Sequence, residues 1–301
     1  MVANEKPVIE RYLKQDRDLW ERTKKELRPL VRLINSSSGE YSLQLREDYF
    51  NIYYQGNSVA KVEPNRNGTY TVSIHRKFVG AKPEQLLEQL DEYSLNKHTT
   101  DPESTNKYFR FRIKAHDLSA FFQRSHLNRI SSKIRAVHNG EEITMEQVIV
   151  TDNPPSRDFI IIDRQVADHS NWKRIDLLAL KCDPTNEFHF VVIEVKLGRN
   201  PELCEKAGKQ VSNYVQHIRK NMKGYIDCYQ QNYSQKKELG LFNEDMPDSI
   251  KINSNLASVE GIVVAIGYSQ LAQKNIESLN TAIKRNGWNI TVRRMPIMQL
   301  S

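Results

Sequence analysis

Among the 301 residues of this chain, Asp176 and the triplet Glu194-Val195-Lys196 are the residues whose types and spacing best suit chemistry. They belong to two runs dense in apolar residues, 175–180 and 188–195, separated by the turn formers Cys182-Asp183-Pro184-Thr185-Asn186-Glu187. That pattern predicts a β-hairpin. A turn centred near residue 185 makes the paired indices sum to about 370, which sets Asp176 opposite Glu194. Lys196, two residues on, projects from the same face as Glu194. Charges on a strand of Val, Ile and Phe are costly to desolvate unless compensated, and for neighbouring carboxylates a divalent cation is the usual compensation. The plain alternative is a surface Glu–Lys pair, since a Glu-x-Lys triplet arises roughly once by chance in a chain of this length. The apolar context and the second acid opposite argue against it.

The same residues carry a resemblance. Asp176, a hairpin and then Glu194-Val195-Lys196 resemble the core of the PD-(D/E)XK nuclease superfamily, although Ile175 stands where the family name has Pro. Gln210-Val211-Ser212-Asn213-Tyr214 resembles the Gln-x-x-x-Tyr element of its RecB-like members, and its two ends, four residues apart on a helix, share a face. The likeness spans about residues 157 to 267. It implies metal-dependent hydrolysis of nucleic acid, DNA before RNA, with Mg²⁺ as cofactor and Mn²⁺ able to replace it. Asp176, Glu194 and the carbonyl of Val195 would be the metal ligands, and Lys196 would orient or deprotonate the attacking water. Gln210 would complete the catalytic set, and Tyr214 would contact substrate. Gln165 is a further candidate contact, and Glu142 and Asp163 are candidates for an additional acid. By analogy the setting would be bacterial restriction or anti-phage defence. The alternative is a catalytically silent nuclease fold that binds nucleic acid or a protein partner.

The elements expected to position these residues form two domains. Residues 7–34 read as a helix kinked at Pro29, and from residue 40 to 78 the period switches to two, with turns at Glu47-Asp48, Gln55-Gly56 and Asn65-Arg66-Asn67-Gly68. Aromatic residues of this meander suit packing against a helix better than stacking on bases. Residues 83–95 read as an amphipathic helix. The expected division is therefore an α+β accessory domain over 1–96 with an antiparallel meander, a polar linker over 97–107, and an α/β domain over 108–301 with a mixed central sheet flanked by helices. The second domain is expected to open with a strand at 108–113 and a basic helix from Asp117 to Val137, on which Arg129 and Lys133 share a face suited to phosphate or to solvent. Strands are expected at 142–150, 159–166, 259–266 and 290–295, and helices at 201–223 and 270–285.

The formal net charge of +7 is compatible with a polyanionic partner. With 39% hydrophobic residues and no apolar run near 18 residues, no membrane partner is expected. The opening residues lack the apolar core of a signal peptide, and the three cysteines have neither metal-ligand spacing nor an even count, so a cytoplasmic setting is expected. A homo-oligomer formed through the N-terminal domain is a further expectation. The chain has no phosphate-binding Gly-Lys-Ser/Thr loop, dinucleotide fingerprint, His-Glu-x-x-His or Gly-x-Ser-x-Gly motif, which removes the corresponding enzyme classes.

Overall fold

The structure is a computed structural model that describes residues 7–14, 17–79, 103–104, 107–137, 140–169, 174–267 and 269–295. The chain is mixed α/β and divides into two compact units. One comprises Arg11–Gly140 with Gln235–Phe242, and the other Met1–Glu10, Glu141–Ser234 and Asn243–Ser301.

The first unit is built on an antiparallel sheet. Helix α1 (Arg17–Asn35) precedes β1 (Tyr41–Arg46), β2 (Tyr49–Tyr54), β3 (Asn57–Pro64) and β4 (Thr69–His75). A short helix α2 (Arg76–Val79), β5 (Glu103–Ser104), β6 (Tyr108–Lys114), α3 (Leu118–Phe121) and α4 (Arg124–Val137) follow. The strand order is β1-β2-β3-β4-β6-β5. The β2–β3 turn places Gln55 and Gly56 at φ 45° and 78°, the paired positive values that a two-residue hairpin loop needs to match strand twist. One face of the sheet, with Leu43, Phe50, Val62, Val72, Phe109 and Phe111, packs with Leu27, Leu30 and Ile34 of α1 and Leu127, Ile130 and Ile134 of α4 in a single core. The aromatics Tyr41 and Tyr54 pack in this core, as expected for a helix-covered meander.

Several expectations are corrected here. The helix begins at Arg17, so Val8 and Tyr12 lie outside it, and it runs unbroken through Pro29 because Leu27, Leu30, Val31 and Ile34 seat it on the sheet. The domain border falls at Gly140/Glu141 rather than at 97–107. The strand at 108–114 pairs along its whole length with β4, and that ladder holds it and the following helices in the first unit. Arg129 and Lys133 go with it. The expected helix at 83–95 and most of the expected linker lie outside the described residues.

The second unit has three layers. Helix α5 (Glu141–Asp152) leads into β7 (Phe159–Val166), β8 (Ile175–Cys182) and β9 (Phe188–Leu197); then come α6 (Glu205–Lys220), α7 (Met222–Glu238), β10 (Glu260–Ile266), α8 (Gln270–Asn286) and β11 (Ile290–Met295). The sheet order is β11-β10-β9-β8-β7, with β7, β8 and β9 antiparallel and β9, β10 and β11 parallel. Against one face, α5 packs Ile149 with Leu177, Val191, Ile193 and Val195. Tyr225 and Tyr229 of α7 meet Phe190 edge-on, while α6 packs on β9 and β10. The expected strand at 142–150 is a helix. Its inward residues include Glu146 and Gln147, so the buried side carries no apolar stripe by which to recognise it. Among the described residues, no helix is long and apolar enough to cross a membrane.

Two glycines set how closely α6 approaches its neighbours. A Cβ on Gly208 would stand 2.7 Å from the Trp288 ring and 2.8 Å from Leu279, and one on Gly261 of β10 would run into Val211. Gly208→Val and Gly261→Ala are each expected to destabilise the fold by about 1–3 kcal/mol through overpacking. Urea unfolding checks this; unchanged midpoints would show that the helix is free to move away.

Candidate active site

The hairpin β8–β9 delivers the expected pair of acids. Leu177 pairs with Ile193 and Leu178 with Val192, the register read from the turn, so Asp176 and Glu194 come together where β8 begins and β9 ends. The backbone N–H of Val195 donates to Asp176 Oδ2 at 3.0 Å, which fixes that carboxylate against the neighbouring strand. Glu194 is 1% exposed, and its Oε1 accepts from Lys196 Nζ at 2.7 Å and from Gln210 Nε2 at 2.8 Å. Its other oxygen, Oε2, is buried and has no hydrogen-bond partner among the described residues. A buried carboxylate oxygen without a partner costs free energy, which a bound cation would offset.

Two more carboxylates come from α5, one helical turn apart on one face. Glu142 Oε1 accepts from the Leu197 N–H at 3.2 Å and from Asn200 Nδ2 at 2.7 Å. Glu146, 2% exposed, accepts from Gln165 Nε2 at 2.6 Å and lies 3.5 Å from Arg164. Gln165 holds φ 50°, an uncommon conformation for a residue with a side chain, within the irregular stretch of β7 that also aims Arg164 at Gln147 of α5.

The four acids act on one another electrostatically. Burial, then the charge of Asp176, pushes Glu194 up to about 8. Burial followed by the charge of Asp176 also raises Glu146, to about 7. Asp176 is raised by burial and by Glu142, against the opposing pull of the Val195 N–H and Lys196. Burial works against the Lys196 charge, but Glu194, Asp176 and Glu142 outweigh it and hold the ammonium above its usual range. Lys196 therefore holds its proton beside acids that outnumber it. Hard oxygen donors gathered at one strand end, one of them unsatisfied, suit a hard divalent cation.

No family model matches the chain, and no significant match is found among curated proteins or solved structures.

Of the residues singled out in the sequence, Asp176, Glu194, Val195, Lys196, Gln210 and Tyr214 are joined by direct contacts, and Gln165 meets the cluster through Glu146. Tyr214, expected to contact substrate, is enclosed by protein. It is 2% exposed, accepts from Gln210 Nε2 at 3.1 Å and donates to the Arg174 carbonyl at 2.9 Å. Burial and the charge of Glu194 lift its phenol to about 12, so it stays protonated and acts as a positioning residue that ties α6 to the start of β8. Asp163 is not a member of the cluster; its carboxylate accepts from Tyr229 and from the Arg164 N–H. Arg129 and Lys133 belong to the other unit. Glu146 and Arg164 were missed, and the signal for Glu146 was its i, i+4 spacing from Glu142.

A carboxyl whose folded-state pKa is raised favours folding while protonated and loses that advantage as pH rises. With Glu146 and Glu194 moved from 4.5 to about 7 and about 8, the metal-free protein is expected to lose stability as pH rises through that window. The loss should be on the order of a few kcal/mol and should shrink in Glu194→Gln. Thermal unfolding in a chelator across that pH range tests this; a flat profile in the wild type would contradict it.

Proposed function

We propose that the second unit hydrolyses phosphodiester bonds in nucleic acid, DNA in the first place, as a metal-dependent nuclease of the PD-(D/E)XK kind. The observation that carries this reading is the convergence of Asp176, Glu194, Glu142 and Glu146 on one strand end beside Lys196, with Glu194 Oε2 buried and unpartnered. Asp176 and Glu194 would hold Mg²⁺, or Mn²⁺ in its place, with Glu142 and Glu146 as the further acids available to it. When bound, the cation supplies acidification of a water and neutralisation of charge on the phosphate.

The chain's own residues do the rest. Gln210 holds Glu194 Oε1 and thereby orients the carboxylate, while the Val195 N–H does the same for Asp176. Lys196 presents an ammonium to the charge that develops on the phosphate oxygens. Its role as a base is open only after its carboxylate neighbours are neutralised, because in their free state they hold its proton in place. An arginine at this position keeps the charge but cannot accept a proton, so Lys196→Arg separates the two roles.

The test is cleavage of circular and linear, single- and double-stranded DNA and of RNA, with Mg²⁺, Mn²⁺ or EDTA. Cleavage is expected to require the cation and to fall by about 100-fold or more in Lys196→Ala and Glu194→Ala. Undiminished metal-dependent cleavage in both variants would rule the site out. In Glu146→Gln, a smaller reduction than in Glu194→Ala is expected, from the same assay.

A further inference from the structure

Strand β6 carries a surface that the candidate active site does not use. Its side chains alternate without exception. Phe109, Phe111 and Ile113 are buried in the core of the first unit, while Tyr108, Arg110, Arg112 and Lys114 face outward. The three cations form no ion pair or hydrogen bond through their side chains with any described residue. They stand at every second residue, hence about 7 Å apart along one line. Their cross-strand neighbours on β4 are uncharged, with Ser73 opposite Arg110, Thr71 opposite Arg112 and Thr69 opposite Lys114, while on β5 the acidic Glu103 is the register partner of Arg110 and leaves Arg112 and Lys114 with no acid opposite. The acid on the next strand, Glu63, is paired with Lys61 at 2.9 Å. At the head of the row Tyr108 is 43% exposed, with its ring edge-on to His75 at 5.3 Å.

An evenly spaced row of unpaired cations on a pleated sheet fits a polyanion whose charges recur at a regular interval. An exposed aromatic ring beside that row adds a platform on which an unstacked base can lie, which a closed duplex does not offer. We propose that the outward face of β6 binds single-stranded DNA, with Arg110, Arg112 and Lys114 on successive phosphates and Tyr108 stacked on a base. The choice of DNA over RNA rests on the nuclease reading above; the binding surface itself does not.

The test is equilibrium binding of a fluorescein-labelled single-stranded oligodeoxynucleotide to the full chain in EDTA, where metal-dependent cleavage cannot interfere. Arg110→Ala/Arg112→Ala/Lys114→Ala is expected to bind at least about 10-fold more weakly, and its plot of log affinity against log salt should be shallower by about 2, as for three lost phosphate contacts. Tyr108→Leu is expected to weaken binding by about 10-fold, consistent with loss of one stacked base. A control with the same loss of charge, Lys25→Ala/Arg28→Ala/Arg32→Ala on the exposed side of α1, should stay within about 3-fold of wild type. All four substituted β6 side chains point away from the core, so unchanged circular dichroism and melting are expected. The proposal is overturned if the wild type does not bind, if the β6 triple variant binds as the wild type does, or if the α1 control weakens equally. Preference for RNA or duplex of the same length would likewise overturn it. Metal-dependent cleavage by Lys196→Ala, measured separately, keeps the two readings apart: a β6 surface that fails while Lys196→Ala still abolishes cleavage would leave the nuclease site standing.

Discussion

The constraint on which the second unit depends is the burial of like charge. Glu194 sits near the end of a strand dominated by Phe, Val, Ile and Leu, nearly sealed from water, with Asp176, Glu142 and Glu146 acting on it or on one another and Lys196 and Arg164 buried among them as cations. Such an arrangement costs stability unless protons or a cation offset it. Protonation offsets part of that cost, in keeping with the raised Glu146 and Glu194 carboxyls. What remains is a group of neighbouring carboxyls, each held in place by Gln210, the Val195 N–H, Gln165 or Asn200, whose repulsion a divalent cation would relieve.

The fold follows from the need to bring these groups to one place. The hairpin register sets Asp176 beside Glu194, and the parallel pairing of β9 with β10 brings them to the carboxyl end of β9, the end of the strands at which open α/β sheets characteristically bind ligands. Tyr214 locks α6 to the residue before β8, so the helix that carries Gln210 is held in step with the strand that carries Asp176. The second half of β7, beyond its bulge, fixes α5 through Arg164 and Gln165. Gly208 and Gly261 let α6 lie close enough for Gln210 to reach Glu194.

The site was legible in the sequence where local pattern and chemistry coincide. Asp176, Glu194 and Lys196 lie on two short, strongly apolar runs joined by a dense turn cluster, so register followed from strand geometry alone. Gln210 and Tyr214 were legible as one helix face, but not which of the two would be spent on positioning. The helix Glu141–Asp152 was read as a strand because its inward side carries Glu146 and Gln147, and a functional face of this kind erases the apolar period that identifies a helix. The domain border was misplaced for a different reason. A polar, proline-containing stretch looks like a linker, yet the strand after it closes the first sheet by long-range pairing with β4, which no local signal reports. The role of Glu146 lay hidden behind the same misreading of its helix.

The most direct test of this account is calorimetric titration of the metal-free protein with Mn²⁺, beside Glu194→Gln and Asp176→Asn. The account predicts saturable binding to the wild type with release of protons at neutral pH, and its loss or marked weakening in both variants. A wild type that binds no cation, or variants that bind it undiminished, would show that the buried carboxylates serve another purpose and would contradict the central claim.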